Sequence, residues 1–267
     1  MTKMNDQTQG VSEAASRLLA AHSSSSPCPP IRDLLPKGDV AAAYSVQERN
    51  TAAWLKQGRR LVGRKIGLTA KAVQRQLGVD QPDFGMLFAD MAVDDATEVA
   101  IGRVLQPRVE AEIAFVLERE ITVPTPTAAD LLRATAYVLP AIEIVGSRIA
   151  GWDIQIADTV ADNASSGLFV LGGPARRLHD LDLPACGMIL ERKGEPVSMG
   201  AGAACLGNPM SAVTWLARKM VEVGRPLGPG DIVLSGALGP MVPVKAGDAF
   251  VARIAGVGSV SVSFVDA

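Results

Sequence analysis

Histidine is almost missing from this chain: His22 and His179 are the two in 267 residues. His22 lies in a polar N-terminal region, and His179 follows Arg176 and Arg177 in an expected loop, so both read as surface residues. Acid–base chemistry would then fall to carboxylates, lysine, tyrosine or water. Cysteine is scarce as well. Cys28, Cys186 and Cys205 are far apart and form no Cys-x-x-Cys pair, which gives no basis for a zinc knuckle or a redox motif. A disulfide framework is not expected either, which suits a reducing cytoplasm. The net charge is only -2, so neither nucleic acid nor a membrane surface is an expected partner. No apolar run reaches the roughly 20 residues of a membrane helix, and Met1 to Gly10 is polar, without a signal pattern. Gly236-Ala-Leu-Gly-Pro240 lacks the Gly-Lys-Ser/Thr ending of a phosphate loop.

What is present is an ordinary globular composition, 48% hydrophobic and 20% charged. The length suits one large domain with a small N-terminal attachment. Residues 1–30 read as that attachment: a short helix over 12–22, then a linker, Ser23 to Pro30, of four serines and three prolines around Cys28. Residues 31–267 read as a single catalytic domain. Helices are expected over 40–58, stopped by Gly58; over 127–137, with Thr127 and Asp130 in capping-box spacing; and from Asn208-Pro209 to Gly224, with Val213, Leu216, Ala217 and Met220 on the buried face. Strands are expected over 60–68, interrupted by Gly63 and Gly67, over 107–117 and 138–145, and over 232–234, 250–254 and 259–264. No internal repeat stands out. The fold class is α+β, around a curved, largely antiparallel sheet.

The segment Arg108-Val-Glu-Ala-Glu112 carries the most chemistry. Val109, Ala111, Ile113, Phe115 and Leu117 alternate as a half-buried strand requires. Glu110 and Glu112 then share a face, roughly 7 Å apart. Like charges so placed repel; either solvent screens them or a cation lies between them. Glu143 sits inside the apolar run Leu139-Pro-Ala-Ile-Glu-Ile-Val145, where an ionised carboxylate costs several kcal/mol unless paired or bound to metal. A buried pair with Arg148 is the plainer alternative. Three carboxylates without Cys or His make a hard oxygen site, suited to Mg2+ or Mn2+. Lys65, between Gly63 and Gly67, is either a proton-handling group near such a metal or a strand lysine paired with a glutamate. Asp83 lies in the turn-like Asp80-Gln-Pro-Asp-Phe-Gly85, where aspartate is commonly structural. Asp158-Thr-Val-Ala-Asp-Asn-Ala-Ser-Ser-Gly167 is polar enough to line a pocket, or to form local turns.

These segments together resemble the 2-keto-4-pentenoate hydratase family of the fumarylacetoacetase-like superfamily. The matching stretches are GRKIGLT at 63–69, LGVDQPDFG at 77–85, LQPRVEAEIAFVL at 105–117, LPAIEIVGSRI at 139–149 and DTVADNASSG at 158–167. CLGNP at 205–209 and SGALGPMVPV with its following Gly-Asp at 235–248 complete the set. The resemblance spans roughly residues 40 to 265. It implies a mixed β-sandwich or roll of the fumarylacetoacetase C-terminal type with N-terminal helices. It implies a metal, Mg2+ or Mn2+, on Glu110, Glu112 and Glu143 and an acid–base pair of Lys65 and Asp83; the pocket-like segment 158–167 itself offers Ser165 or Asn163 to hold substrate or water. The implied reaction is hydration of 2-hydroxypenta-2,4-dienoate to 4-hydroxy-2-oxopentanoate, as in breakdown of aromatic rings. A homo-oligomer, pentamer or decamer, and a complex with a related decarboxylase are implied partners. The alternative is that decarboxylase itself, acting on 2-oxo-3-hexenedioate. The absence of Arg and Lys from SGALGPMVP favours a monocarboxylate if that segment lines the pocket. Carbon–carbon hydrolysis through a His–Glu pair lacks a suitably placed histidine, and a non-catalytic scaffold has no need of buried charges.

Overall fold

The computed structural model describes residues 2–71, 74, 75 and 79–266, with side chains from Thr8 onward; Leu77 and Gly78 of the LGVDQPDFG stretch lie outside the described residues. The helices are α1 (Thr2–Ser24), α2 (Val40–Lys56), α3 (Ala128–Ala134), α4 (Ile156–Ala161) and α5 (Pro209–Glu222). The strands are β1 (Leu61–Gly67), β2 (Asp83–Phe88), β3 (Ala92–Val93), β4 (Thr97–Ala100), β5 (Arg108–Leu117), β6 (Thr135–Val145) and β7 (Leu168–Leu171), then β8 (Gly187–Arg192), β9 (Glu195–Ala201), β10 (Ile232–Leu234), β11 (Val242–Pro243), β12 (Ala249–Ile254) and β13 (Gly258–Val265).

The strands form two sheets. The larger runs β2-β1-β10-β5-β6-β7-β3, with β11 also on β5; the smaller runs β4-β13-β12-β8-β9. Most pairings are antiparallel, and β1–β10, β3–β7 and β4–β13 are parallel. β12 and β13 pack over β6, and β13 also meets β7. A continuous apolar core includes Phe88, Phe115, Phe169, Phe250 and Phe264, all essentially inaccessible to solvent. A second apolar cluster joins α1, α2 and α4 through Leu18, Val46 and Val160.

Helix boundaries follow their caps. The Asn208 side chain accepts from the Met210 amide at 2.9 Å, and Pro209 opens α5. Gly58 (φ 87°) and Gly224 (φ 72°) adopt the left-handed conformation just past α2 and α5. The helix expected over 127–137 is shorter. Thr127 and Asp130 do cap each other, but the chain turns extended at Thr135, and Tyr137 pairs with Val116 of β5. Sheet pairing with β5 overrides helix propensity there. The helix expected over 12–22 begins earlier, at Thr2. In the Ser/Pro segment that follows it, Cys28 exchanges backbone hydrogen bonds with Arg148 and Ala150 (2.8 Å each), which ties that segment to the end of β6.

Candidate active site

The core of the site is a register match in the larger sheet. Glu110 of β5 lies directly opposite Glu143 of β6, and Glu112 is one side-chain repeat further along β5. One carboxylate oxygen from each of the three lies within 4.8 Å of the others. Glu112 and Glu143 are fully buried, while Glu110 is half-buried and marks the side from which solvent reaches the cluster. Lys65 enters from β1 and is 3% exposed; its Nζ stands 3.2 Å from Glu143 Oε1 and donates to the Ala164 carbonyl at 2.9 Å. Asp83, 2% exposed, begins β2 opposite Gly67. A Cβ on Gly67 would fall 2.2 Å from Asp83 Oδ1 and 3.5 Å from Lys65 Nζ, so this glycine leaves the space in which the two side chains meet.

Burial pushes the Glu143 carboxyl up to about 7, with Glu110 adding to the rise and Lys65 opposing it. Glu112 is raised well above the ordinary carboxylate range, by burial and by Glu143 and Glu110 beside it. Glu110 and Asp83 are raised by burial, against the pull of Lys65. For Lys65 burial favours the neutral amine, but Glu143, Asp83, Glu110 and Glu112 together hold its ammonium above the ordinary lysine range. One ammonium thus faces four carboxyl groups.

Hydrogen bonding does not resolve this excess. Glu112 Oε2 accepts from the Gly236 amide at 2.8 Å. Among the described residues, Glu112 Oε1, Glu143 Oε2 and Asp83 Oδ1 are buried without a hydrogen-bond partner, and Glu143 Oε1 has only its ion pair with Lys65. Such orphaned acceptors are costly, and a hard divalent cation would satisfy them. The donor set, all oxygen, fits a cation of that class. Arg148, the alternative partner for Glu143, is instead salt-bridged to Asp162.

The chain at Ser235–Leu238 closes one side. Ser235 and Leu238 amides donate to Ile113 and Ala111 of β5, so the SGALGP segment does abut the acidic cluster. On another side, Ser165 Oγ lies 3.2 Å from Thr159 Oγ1, and the Asn163 side chain pairs with both backbone groups of Met86. Residue type does not encode the Ala164 carbonyl or the Gly236 amide, whose roles come from backbone placement, and within the polar segment 158–167 it does not single out Thr159. His22 is exposed against Trp54, with ring centroids 5.8 Å apart, and His179 is exposed beside Asp180.

Residues 48–265 match the family model described as fumarylacetoacetate (FAA) hydrolase C-terminal. The chain belongs to the fumarylacetoacetate hydrolase family. Among members of that family, it is 62% identical over 253 residues to 2-keto-4-pentenoate hydratase 2 of Dechloromonas aromatica, covering 94% of this chain and 97% of that one. It is 60% identical over 260 residues to the TodF product hydratase of Pseudomonas putida, covering 97% of each. A solved family structure, 4-oxalocrotonate decarboxylase from Pseudomonas putida complexed with magnesium and adipate, superposes with a TM-score of 0.92 at 34% identity, over 97% of this chain and 98% of that one. The expected fold, fumarylacetoacetase C-terminal-like with N-terminal helices, is the fold observed. Among the described residues no helix is long and apolar enough to cross a membrane.

Proposed function

We propose that this family member hydrates 2-hydroxypenta-2,4-dienoate to 4-hydroxy-2-oxopentanoate with Mg2+ or Mn2+ held by Glu110, Glu112 and Glu143. The observation that carries the reading is the set of buried, unpartnered carboxylate oxygens with Lys65 against them. The identity to hydratases, well above that to the decarboxylase, selects among reactions that share the site. When bound, the cation supplies Lewis acidity toward the C1 carboxylate and C2 oxygen of the 2-oxo acid. Lys65 and Asp83 form the proton-handling pair. In sequence, the C2 hydroxyl proton leaves and C5 gains one, which makes C4 electrophilic; the oxygen of water bonds to C4, and C3 takes a proton. Ser165 is placed to hold substrate or the attacking water. The SGALGP segment, which reaches Glu112 through Gly236, brings no cation for a second carboxylate, and this supports a monocarboxylate substrate.

The assay is loss of dienoate absorbance with and without Mg2+ or Mn2+, with products identified by mass. Metal-dependent gain of one water is the expected result. Carbon dioxide release from 2-oxo-3-hexenedioate, with the dienoate left intact, would replace this reading with the decarboxylase. The same reading includes a homo-oligomer, pentamer or decamer, and a complex with a related decarboxylase; light scattering on the chain alone and mixed with that enzyme measures both. A cytoplasmic location is supported by three buried free cysteines.

Protons should leave the cluster when the cation binds. Glu143, raised to about 7, keeps its proton in the metal-free protein across the acid range. The stability this contributes is present below the unfolded carboxyl value and is lost as pH rises through the folded one. Calorimetric Mg2+ titration in two buffers of different ionisation enthalpy should show proton release at pH 6 and much less at pH 8.5. Equal release at both values would remove the raised carboxyls from the account.

A further inference from the structure

Asn163, Ala164 and Ser165 sit in succession at φ of 54°, 51° and 56°. For L-residues this left-handed region is sterically strained, with Cβ close to the following carbonyl oxygen. Of the three, only asparagine is a common occupant. Strain of this kind persists where the surroundings over-determine the backbone, and it gathers at functional sites.

The surroundings do so here from three directions. The Asn163 side chain imitates a neighbouring strand: its Oδ1 accepts from the Met86 amide at 2.7 Å and its Nδ2 donates to the Met86 carbonyl at 2.9 Å. Gly85 permits that approach, since a Cβ there would fall 2.2 Å from the Asn163 carbonyl oxygen. Arg148 brackets the turn, donating to the Asp162 carbonyl at 2.7 Å on one side and to the Ser166 carbonyl at 2.8 Å on the other. The Gly146 amide holds the Ser165 carbonyl at 2.9 Å. The product of this bracing is specific: the Ala164 carbonyl is delivered to Lys65 Nζ at 2.9 Å, beside its ion pair with Glu143.

We propose that the left-handed turn 163–165 is a positioning device for Lys65, with Asn163 as its clamp, acting through the Ala164 carbonyl rather than by touching substrate. Both amide atoms of Asn163 are committed to Met86, which reassigns the residue from its expected place against substrate. The kinetic arm of the test rests on the hydratase reading; the chemical arm does not.

Two variants test it on the full chain with Mg2+ present: Asn163→Ala and Ala164→Gly. Asn163→Ala should lower kcat by about 10- to 100-fold, the cost of a misplaced proton-transfer group. KM and Mg2+ affinity should stay within about 3-fold, because neither substrate nor metal is touched. Acetylation of Lys65 by acetic anhydride, mapped by peptide mass, should accelerate. Ala164→Gly should leave Tm unchanged or raise it, as glycine accepts positive φ without strain, yet lower kcat and expose Lys65 in the same direction. A structural role alone would not separate stability from turnover in this way. Raised KM with intact kcat in Asn163→Ala would overturn the proposal in favour of a substrate contact. Parental kcat and Lys65 reactivity in both variants would overturn it outright. If Asn163→Ala does not fold, Ala164→Gly decides. If the parent lacks hydratase activity but both variants expose Lys65, the turn's role stands and the hydratase reading falls.

Discussion

Lys65→Met should reduce turnover by about 100- to 10,000-fold, the range for a positioned acid–base group, and it should also weaken the metal-free protein. The ammonium faces Glu110, Glu112, Glu143 and Asp83, which together set its own titration. Removing one partner of a buried ion pair costs about 3–5 kcal/mol, because the other charge stays buried. For a chain of this size that corresponds to a fall in Tm of roughly 6–20 °C. Saturating Mg2+ should recover much of the stability and none of the activity. Lys65→Arg separates the two roles: it keeps a positive charge but cannot release a proton near neutrality, so stability should largely survive while turnover does not. Thermal melts and turnover, each with and without Mg2+, measure all of this. A Lys65→Met protein that hydrates the dienoate within about 3-fold of the parent would remove Lys65 from the proton-handling role.

Glu112→Gln should have the opposite effect on stability and an equally severe one on function. Glu112 has one unpartnered buried oxygen, and its carboxyl is raised by burial and by its two acidic neighbours. The neutral amide keeps an oxygen for the Gly236 amide and, at alkaline pH where the carboxyl would ionise, removes a like charge. A gain of about 1–2 kcal/mol in the metal-free protein would raise Tm by roughly 2–8 °C. Mg2+ affinity should fall by at least about 100-fold, and with it both turnover and the stabilisation that Mg2+ confers. A metal-free Tm below that of the parent, with Mg2+ affinity intact, would show that Glu112 is a structural carboxylate and no ligand.

The two glutamates of β5 could be placed in advance because period-2 alternation is a local property, and Glu143 because a charge inside an apolar run has few explanations. Lys65 stood between two readings, and the structure realises part of each: it is paired with a glutamate, and that glutamate belongs to the acidic cluster. The pairing of β1 with β10 joins segments about 170 residues apart, and no local pattern encodes it. β2 and β7 went unmarked: each is short and almost wholly buried, so neither alternates. The segment 158–167, legible only as polar, divides into a capped helix and a left-handed turn. Asp158 is used on the Gln155 amide and on Arg32, and Asp162 on Arg148. A positive φ at Ala164 leaves no trace in residue type, since glycine is what usually signals it.

The groups of the candidate site come from β1, β2, β5, β6, the turn after α4 and the chain after β10, a span from Lys65 to Gly236. No fragment of the chain holds the set, and bringing its parts together requires closing long loops. The three candidate cation ligands are the local part of that set: Glu110, Glu112 and Glu143 lie on β5 and β6, which pair directly, while Lys65 and Asp83 reach them only once β1 and β2 join the larger sheet. A cation held there would act by mass action on the stability of the whole domain, worth about 2.7 kcal/mol at one hundred times its dissociation constant.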